Sequence, residues 1–428
     1  MISDQYAVYL PAVSDMYATG VGKPLPDGRP FPNGYTVEDL VFWSKRSRLW
    51  NHRQVLHSVG AYSVGSSPDN AITRMGRDDY VLVGDSGGFQ IGKGSLKGFD
   101  SLRAGMEAAS AVEAWRNAYH VREWIVGWLE TYAHYAMTLD MPLWATLKAN
   151  EQTPFHQCSI QQLTDMTVSN LRFIEKHRQG RTKWLNVVQG LDPQTTRDWW
   201  NAVKFFDCGG YSLAGAAGTK GGIEGILRSV LLMRDDGAFS AGRDWIHVLG
   251  VSTTQWAILL SAIQRGIRKQ VNSNLRVSYD SASPFQVGGR YEQAALTPKF
   301  GAHPTLWNIQ FEQAPQAKQF VGSDEPLGYD SPIARVLTKG HLNVVTDEWN
   351  SRKFDTVSNL LLVNHNVWVY LNAFERANAL AFETDRTEVP PSWAECLDLI
   401  EEAFTVENWD WWLEGYRGLL NAVAPAEI

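Results

Sequence analysis

The chain has 428 residues, 44% of them apolar and 12% aromatic, and a formal net charge of −7. That length holds one large domain with additions, or two domains, and the apolar share is ample for a core. It has no apolar run long enough for a membrane-spanning helix. Its cysteines, Cys158, Cys208 and Cys396, form no CxxC pair, which excludes a cysteine-rich zinc module and speaks against a disulfide scaffold.

In chain order, Met1-Ile2-Ser3-Asp4 carries neither the basic start nor the apolar stretch of a secretory signal, so a cytoplasmic protein is expected. Short apolar runs then follow at 6–13, 80–84, 135–139, 184–188, 210–213, 246–251 and 276–279. Between them lie amphipathic, helix-like stretches at 37–59, 104–133, 160–177, 195–205, 223–233 and 254–268. Alternation of this kind predicts a parallel sheet with helical crossovers. Seven candidate strands fit a (β/α)8 TIM-type barrel with the last strand unassigned; a doubly wound open sheet is the competitor.

Polar residues favour the barrel. Asp85, Asp140, Gln189, Gly215 and Asp280 each stand at or just past the C-terminal end of a different candidate strand. In a barrel that rim gathers chemistry from many strands, whereas an open sheet concentrates it at one switch point. Pro/Gly-rich residues 20–35 and the stretch 91–130, which carries Trp115, Trp124 and Trp128, read as insertions. The expected division is a barrel over 1–300 and a mixed, helical region over 301–428 packed on it, ending in a Trp-rich helix over 409–420. The acidic balance neither supports nor excludes nucleic acid, since an enzyme needs only a local basic patch. The basic clusters at 45–53 and 265–269 read first as solvated helix faces.

The most informative stretch is Asp85-Ser86-Gly87-Gly88-Phe89-Gln90. Asp85 can exchange a proton, the glycines allow close backbone approach, and Phe89 offers a flat face for stacking. An acidic cap beside a Gly-rich turn is the plainer reading of the same residues. Asp280, in Ser278-Tyr279-Asp280-Ser281-Ala282-Ser283, is a carboxylate at a strand end that can attack an anomeric carbon. With Asp85 it would form a pair flanking a glycosidic bond; the plainer reading again is a helix cap.

The hexapeptide resembles the signature of the tRNA-guanine transglycosylase family, and further segments over roughly residues 80–285 are similar to it in the family's order. Val187-Val188-Gln189-Gly190 resembles its Val-Gln-Gly strand end, and Gly210 to Ala216 its Gly-Tyr-x-x-Gly-Gly loop, with Ala214 in place of a glycine. His247-Val248-Leu249-Gly250-Val251 is similar to its Leu-Met-Gly-Val segment, and Tyr279-Asp280-Ser281 stands where the family has Phe-Asp-Cys. The resemblance implies a barrel pentosyltransferase without a cofactor, in which Asp280 attacks C1′ and Asp85 moves protons for the leaving and arriving purine. It further implies that Asp140 accepts from the guanine N1–H and amine, that Gln189 with the backbone of Gly215 and Ala216 reads O6, and that Phe89 and Leu249 sandwich the ring. Ser86 belongs to the same substrate pocket.

The chain departs from the tRNA-acting members where they grip tRNA. The Cys-x-Cys-x-x-Cys cluster is missing near 331–342, so His365 has no partners for the family's structural zinc and reads as a packing histidine. Pro284-Phe285-Gln286 stands where a basic Pro-Thr-Arg run follows the nucleophile. The opening Tyr9-Leu10-Pro11-Ala12 and the Leu139-Asp140-Met141-Pro142 strand end are similar to the DNA-directed branch found in bacterial and phage genome modification. The expected activity is therefore exchange of guanine for a 7-deazaguanine, the 7-cyano form first, in DNA, on a single-stranded or flipped-out nucleotide. The alternatives are the same exchange in tRNA, a non-catalytic nucleic-acid-binding subunit, and a carbohydrate hydrolase.

Overall fold

Eight parallel strands make the centre of the molecule: β1 (Val8–Pro11), β2 (Gln54–Ser58), β3 (Val81–Asp85), β4 (Tyr135–Met137), β5 (Lys183–Val188), β6 (Gly210–Leu213), β7 (Trp245–Val248) and β8 (Arg276–Ser281). They are seen in a computed structural model that describes residues 5–240, 242–301, 304, 307–344, 354–383 and 389–426. The strand order is β1-β8-β7-β6-β5-β4-β3-β2. A parallel bridge between Ala12 and Leu56, with the Val13 N–H donating to Leu56 O at 2.8 Å, brings the two ends together. Helices fill the connections, so the fold is a (β/α)8 barrel of the TIM type and the open sheet is excluded.

Side-chain alternation explains the apolar runs. Val8, Leu10, Leu56, Val83, Met137, Leu185, Val187 and Trp245 point inward and pack as one cluster inside the barrel. Their neighbours, among them Tyr9, Val55, Leu82, Ala136, Trp184, Ile246 and Tyr279, point outward into the larger core beneath the helices. Both faces of each strand are covered, which is why the strands carry so little polar signal.

Two expectations need correction. The stretch 37–59 does not form a helix: it holds a short 3-10 turn at Val37–Leu40 and then β2, the strand missing from the sequence reading. Its apolar centre, Val55-Leu56, is too short to announce a strand, and pairing with β3 from Gln54↔Val81 to Ser58↔Asp85 supplies what local propensity lacks. The stretch 104–133 is two helices, Ala108–Arg116 and Tyr119–Tyr132. They separate at Asn117 because Trp115 and Trp128 anchor in different places: Trp115 donates to Asn170 at 3.0 Å, while Trp128 packs against His57 and Tyr62.

The 20–35 segment holds no helix or strand past Gly20. Arg29 within it donates to Asp355 at 2.6 Å and to Ser358 Oγ at 2.8 Å, tying the loop to the C-terminal region. There the helix Thr356–Phe382 lies over β1 and β8, with the Phe374 ring 4.8 Å from Tyr9 and 5.6 Å from Tyr279. It takes the outer-ring place that follows β8, and it is apolar around most of its circumference, as a core helix should be. The final helix, Trp409–Val423, buries Trp409 and leaves Trp411 76% exposed. Within the basic clusters Arg48 pairs with Asp39, Lys45 with Asp79 and Arg265 with Glu401. Among the described residues no helix is long and apolar enough to cross a membrane.

Candidate active site at the barrel mouth

The inward phase of the strands carries chemistry to the C-terminal rim. Two residues beyond inward Val83, Val187, His247 and Ser278 stand Asp85, Gln189, Leu249 and Asp280, so strand alternation alone aims all four at the mouth. Asp140 joins them from the short turn after β4.

Asp85 is half-buried and faces Ser58, its register partner on β2. Burial raises its carboxyl above the ordinary range; the Ser58 hydroxyl and the Gly87 N–H at 3.2 Å oppose the rise, and the Asp280 charge adds to it. The two carboxylates are thus close enough to sense each other. Ser86 is turned away: its buried hydroxyl donates to Thr138 O at 3.1 Å and joins the exits of β3 and β4.

The two glycines each have a job. Gly87 adopts φ 82° to start the short helix Gly88–Lys93, and a Cβ there would sit 2.9 Å from the Gly60 Cα. A Cβ on Gly88 would sit 3.2 Å from Asp140 Oδ1, so this residue keeps room beside that carboxylate. Gly87→Ala therefore costs about 2 kcal/mol through the left-handed backbone and the backbone contact. The expected result is a melting temperature lower by several degrees in calorimetry; an unchanged value would contradict this account of the turn.

Asp140 is pushed up to about 7, first by burial and then by the Asp85 charge, while a hydrogen bond from Gln189 opposes the shift. That bond, Nε2 to Oδ2, is 2.7 Å. Gln189 was expected to read a purine O6. Its amide nitrogen instead donates to Asp140 and to Met141 O at 3.1 Å, and its Oε1 accepts from the Leu143 N–H at 3.0 Å. A buried amide satisfied on both ends holds Asp140 in place. The Ala216 N–H is committed in the same way, to Gly190 O at 2.8 Å, and Gly215, at φ 57°, makes the tight turn before it.

Leu249 caps the apolar interior from the rim. Phe89 stands 59% exposed, its ring 5.5 Å from Trp144 and the Lys93 ammonium 5.6 Å from its centre. The mouth is thus floored by Leu249, with Phe89 at its edge.

Sequence reasoning gave no role to Ser58, Ser278 or His247. His247 Nε2 lies 3.2 Å from Asp280 Oδ1, which also accepts the Gly250 N–H at 3.0 Å. The signal was present: a histidine on the inward phase of an otherwise apolar strand, between Trp245 and Leu249. Beside Asp280 a groove of about 370 Å³ opens, lined by Ser252, Thr253, Ser283, Gln286, Tyr291 and Phe311 among others. Far from the mouth, His365 is buried, bonded to Ser331 and Ala295 O and stacked on Tyr329, with burial lowering it to about 4. No group of His, Cys, Asp and Glu among the described residues is arranged to hold a metal.

No protein-family model matches this chain, and no curated protein is significantly similar to it. What the arrangement can do is read from the side chains: raised carboxyls at Asp85 and Asp140, and an Asp280 carboxyl that accepts the Gly250 N–H and meets His247 Nε2. Neighbouring carboxyls in different environments are a means of dividing acid, base and nucleophile roles.

Proposed function

We propose that the chain is a nucleic-acid guanine transglycosylase that exchanges guanine for a 7-deazaguanine, the 7-cyano form first, in DNA. A carboxylate oxygen of Asp280 attacks C1′, the C1′–N9 bond breaks with its electron pair going to the base, and Asp85 supplies the proton that base takes up. The incoming base then gives its N9 proton to Asp85, N9 attacks C1′, and the Asp280 carboxylate leaves. Two inversions retain configuration. Asp140, once ionised, matches the adjacent N1–H and exocyclic N–H donors of the ring.

The observation that carries this reading is the placement of Asp85, Asp140 and Asp280 around one barrel mouth, with Asp85 and Asp140 raised. DNA is favoured over tRNA because the departures from the resemblance fall on the tRNA-gripping segments.

The test is incorporation of labelled guanine and labelled 7-cyano-7-deazaguanine into single- and double-stranded DNA and into tRNA. Label in DNA, lost by at least about 10² in Asp85→Asn, is expected. Label in tRNA alone would replace the polymer in this reading, and label in neither would end it.

A further inference from the structure

We infer that His247 is a positioning residue for Asp280, fixing one carboxylate oxygen and leaving the other to bond carbon, a role that rests on the function proposed above. The inference follows from a chain of hydrogen bonds whose direction is set at one end. The Trp245 indole N–H can only donate, and it donates to Ser278 Oγ at 2.7 Å. Ser278 is fully buried and owns a single hydroxyl hydrogen, and the acceptor it meets is His247 Nδ1 at 2.9 Å. An Nδ1 that accepts leaves the ring proton on Nε2. Nε2 faces Asp280 Oδ1 at 3.2 Å, so the chain ends as a donor to the carboxylate. All three relaying side chains are buried, Trp245 at 3% exposure and the other two at none, which removes water as a competing partner.

The second donor makes the arrangement selective. The Gly250 N–H also reaches Oδ1, at 3.0 Å, and among the described residues no hydrogen bond falls on Oδ2. Two donors on one oxygen fix the carboxylate plane and lower the nucleophilicity of Oδ1, while Oδ2 keeps its lone pairs for C1′. After the C1′–Oδ2 bond forms, Oδ1 is the ester carbonyl oxygen, still held by the same two N–H groups. When the second base attacks, they stabilise the charge that returns to the carboxylate as it leaves. The opposite tautomer would set a ring lone pair against Oδ1 and release this grip.

The first test needs no activity. In full-length protein labelled with ¹⁵N-histidine, long-range proton–nitrogen correlation reads the tautomer, with His247→Gln identifying the resonance. A protonated Nε2 and an unprotonated Nδ1 are expected, redistributed between tautomers in Ser278→Ala. A protonated Nδ1 in the wild type overturns the inference. The second test compares variants in base exchange. His247→Leu should lower kcat by about 10² with KM little changed, whereas His247→Gln, which keeps an N–H near the Nε2 position, should recover to within about tenfold of wild type. Should His247→Leu fail to fold, His247→Gln and Ser278→Ala carry the comparison, and Ser278→Ala matching wild type in both tautomer and rate overturns the inference. If the wild type exchanges no base but shows the expected tautomer, the transglycosylase reading falls while the grip on Asp280 stands.

Discussion

Asp280→Asn is expected to end the proposed base exchange, with a loss on the order of 10⁴ or more, and to leave the fold intact. The loss is large because an amide oxygen is a poor nucleophile and cannot form the glycosyl ester; removing a covalent nucleophile ranks among the costliest single changes an enzyme suffers. The fold is kept because the amide is isosteric and its oxygen still accepts from the Gly250 N–H and from His247 Nε2, the partners of Oδ1. The backbone bond from the Val251 N–H to Asp280 O, 2.7 Å, is untouched. Mass spectrometry of the denatured protein after incubation with DNA, without an incoming base, should show a protein–nucleotide adduct in wild type and none in Asp280→Asn. Exchange persisting in Asp280→Asn at more than a hundredth of the wild-type rate would place the nucleophile elsewhere.

The second large effect is a dependence of base affinity on pH set by Asp140. Burial and the Asp85 charge hold its carboxyl at about 7. A bound purine that offers two N–H donors favours the ionised form, so below that value binding must first expel a proton. Affinity for 7-cyano-7-deazaguanine should therefore weaken by about tenfold for each pH unit below about 7 and level off above it. Titration calorimetry between about pH 5.5 and 8 reads this slope, and a flat affinity would remove Asp140 from base recognition.

The same shift has a consequence for stability, with the opposite arithmetic. A carboxyl whose folded pKa exceeds its unfolded value binds its proton more tightly when folded. Its contribution is present at low pH and is lost as pH rises from about 4 through about 7. Asp85, also raised, acts in the same direction. The stability difference between Asp140→Asn and wild type should thus grow from pH 6 to pH 8, the variant recovering on the order of 1–2 kcal/mol at the higher pH, discounted for the partial exposure of the group. Such a gain on removing a functional carboxylate is the stability cost a preorganised site carries.

Much of the barrel was legible because it is written in short-range pattern. The apolar runs before Asp85, Gln189 and Asp280 are β3, β5 and β8, and the residue that breaks each run marks the strand exit. Once strand and phase are known, alternation aims Asp85, Gln189, Leu249 and Asp280 at the mouth without further information. β2 was not legible, since Gln54-Val55-Leu56-His57-Ser58 has only two aliphatic residues in a row and becomes a strand through its partner. The helix break at Asn117 escaped notice for a related reason: both halves are amphipathic, and the break is placed by where Trp115 and Trp128 find their pockets.

Roles were less legible than positions. Gln189, Ser86 and the Ala216 N–H were each assigned to a ligand, and each spends its hydrogen bonds on the protein itself. A buried polar group takes whatever partner the fold brings within reach, and those partners, Asp140, Thr138 O and Gly190 O, lie on other strands or in other loops. His247 is the converse case, where a residue without an assigned role lies against Asp280 because β7 and β8 are neighbours in register. Local order along the polymer thus determined which residues end strands and which face they present, because alternation and apolar runs act over a few residues. Three-dimensional contact decided who bonds to whom and which carboxyls are raised, because desolvation and hydrogen bonding depend on neighbours that are far apart along the chain.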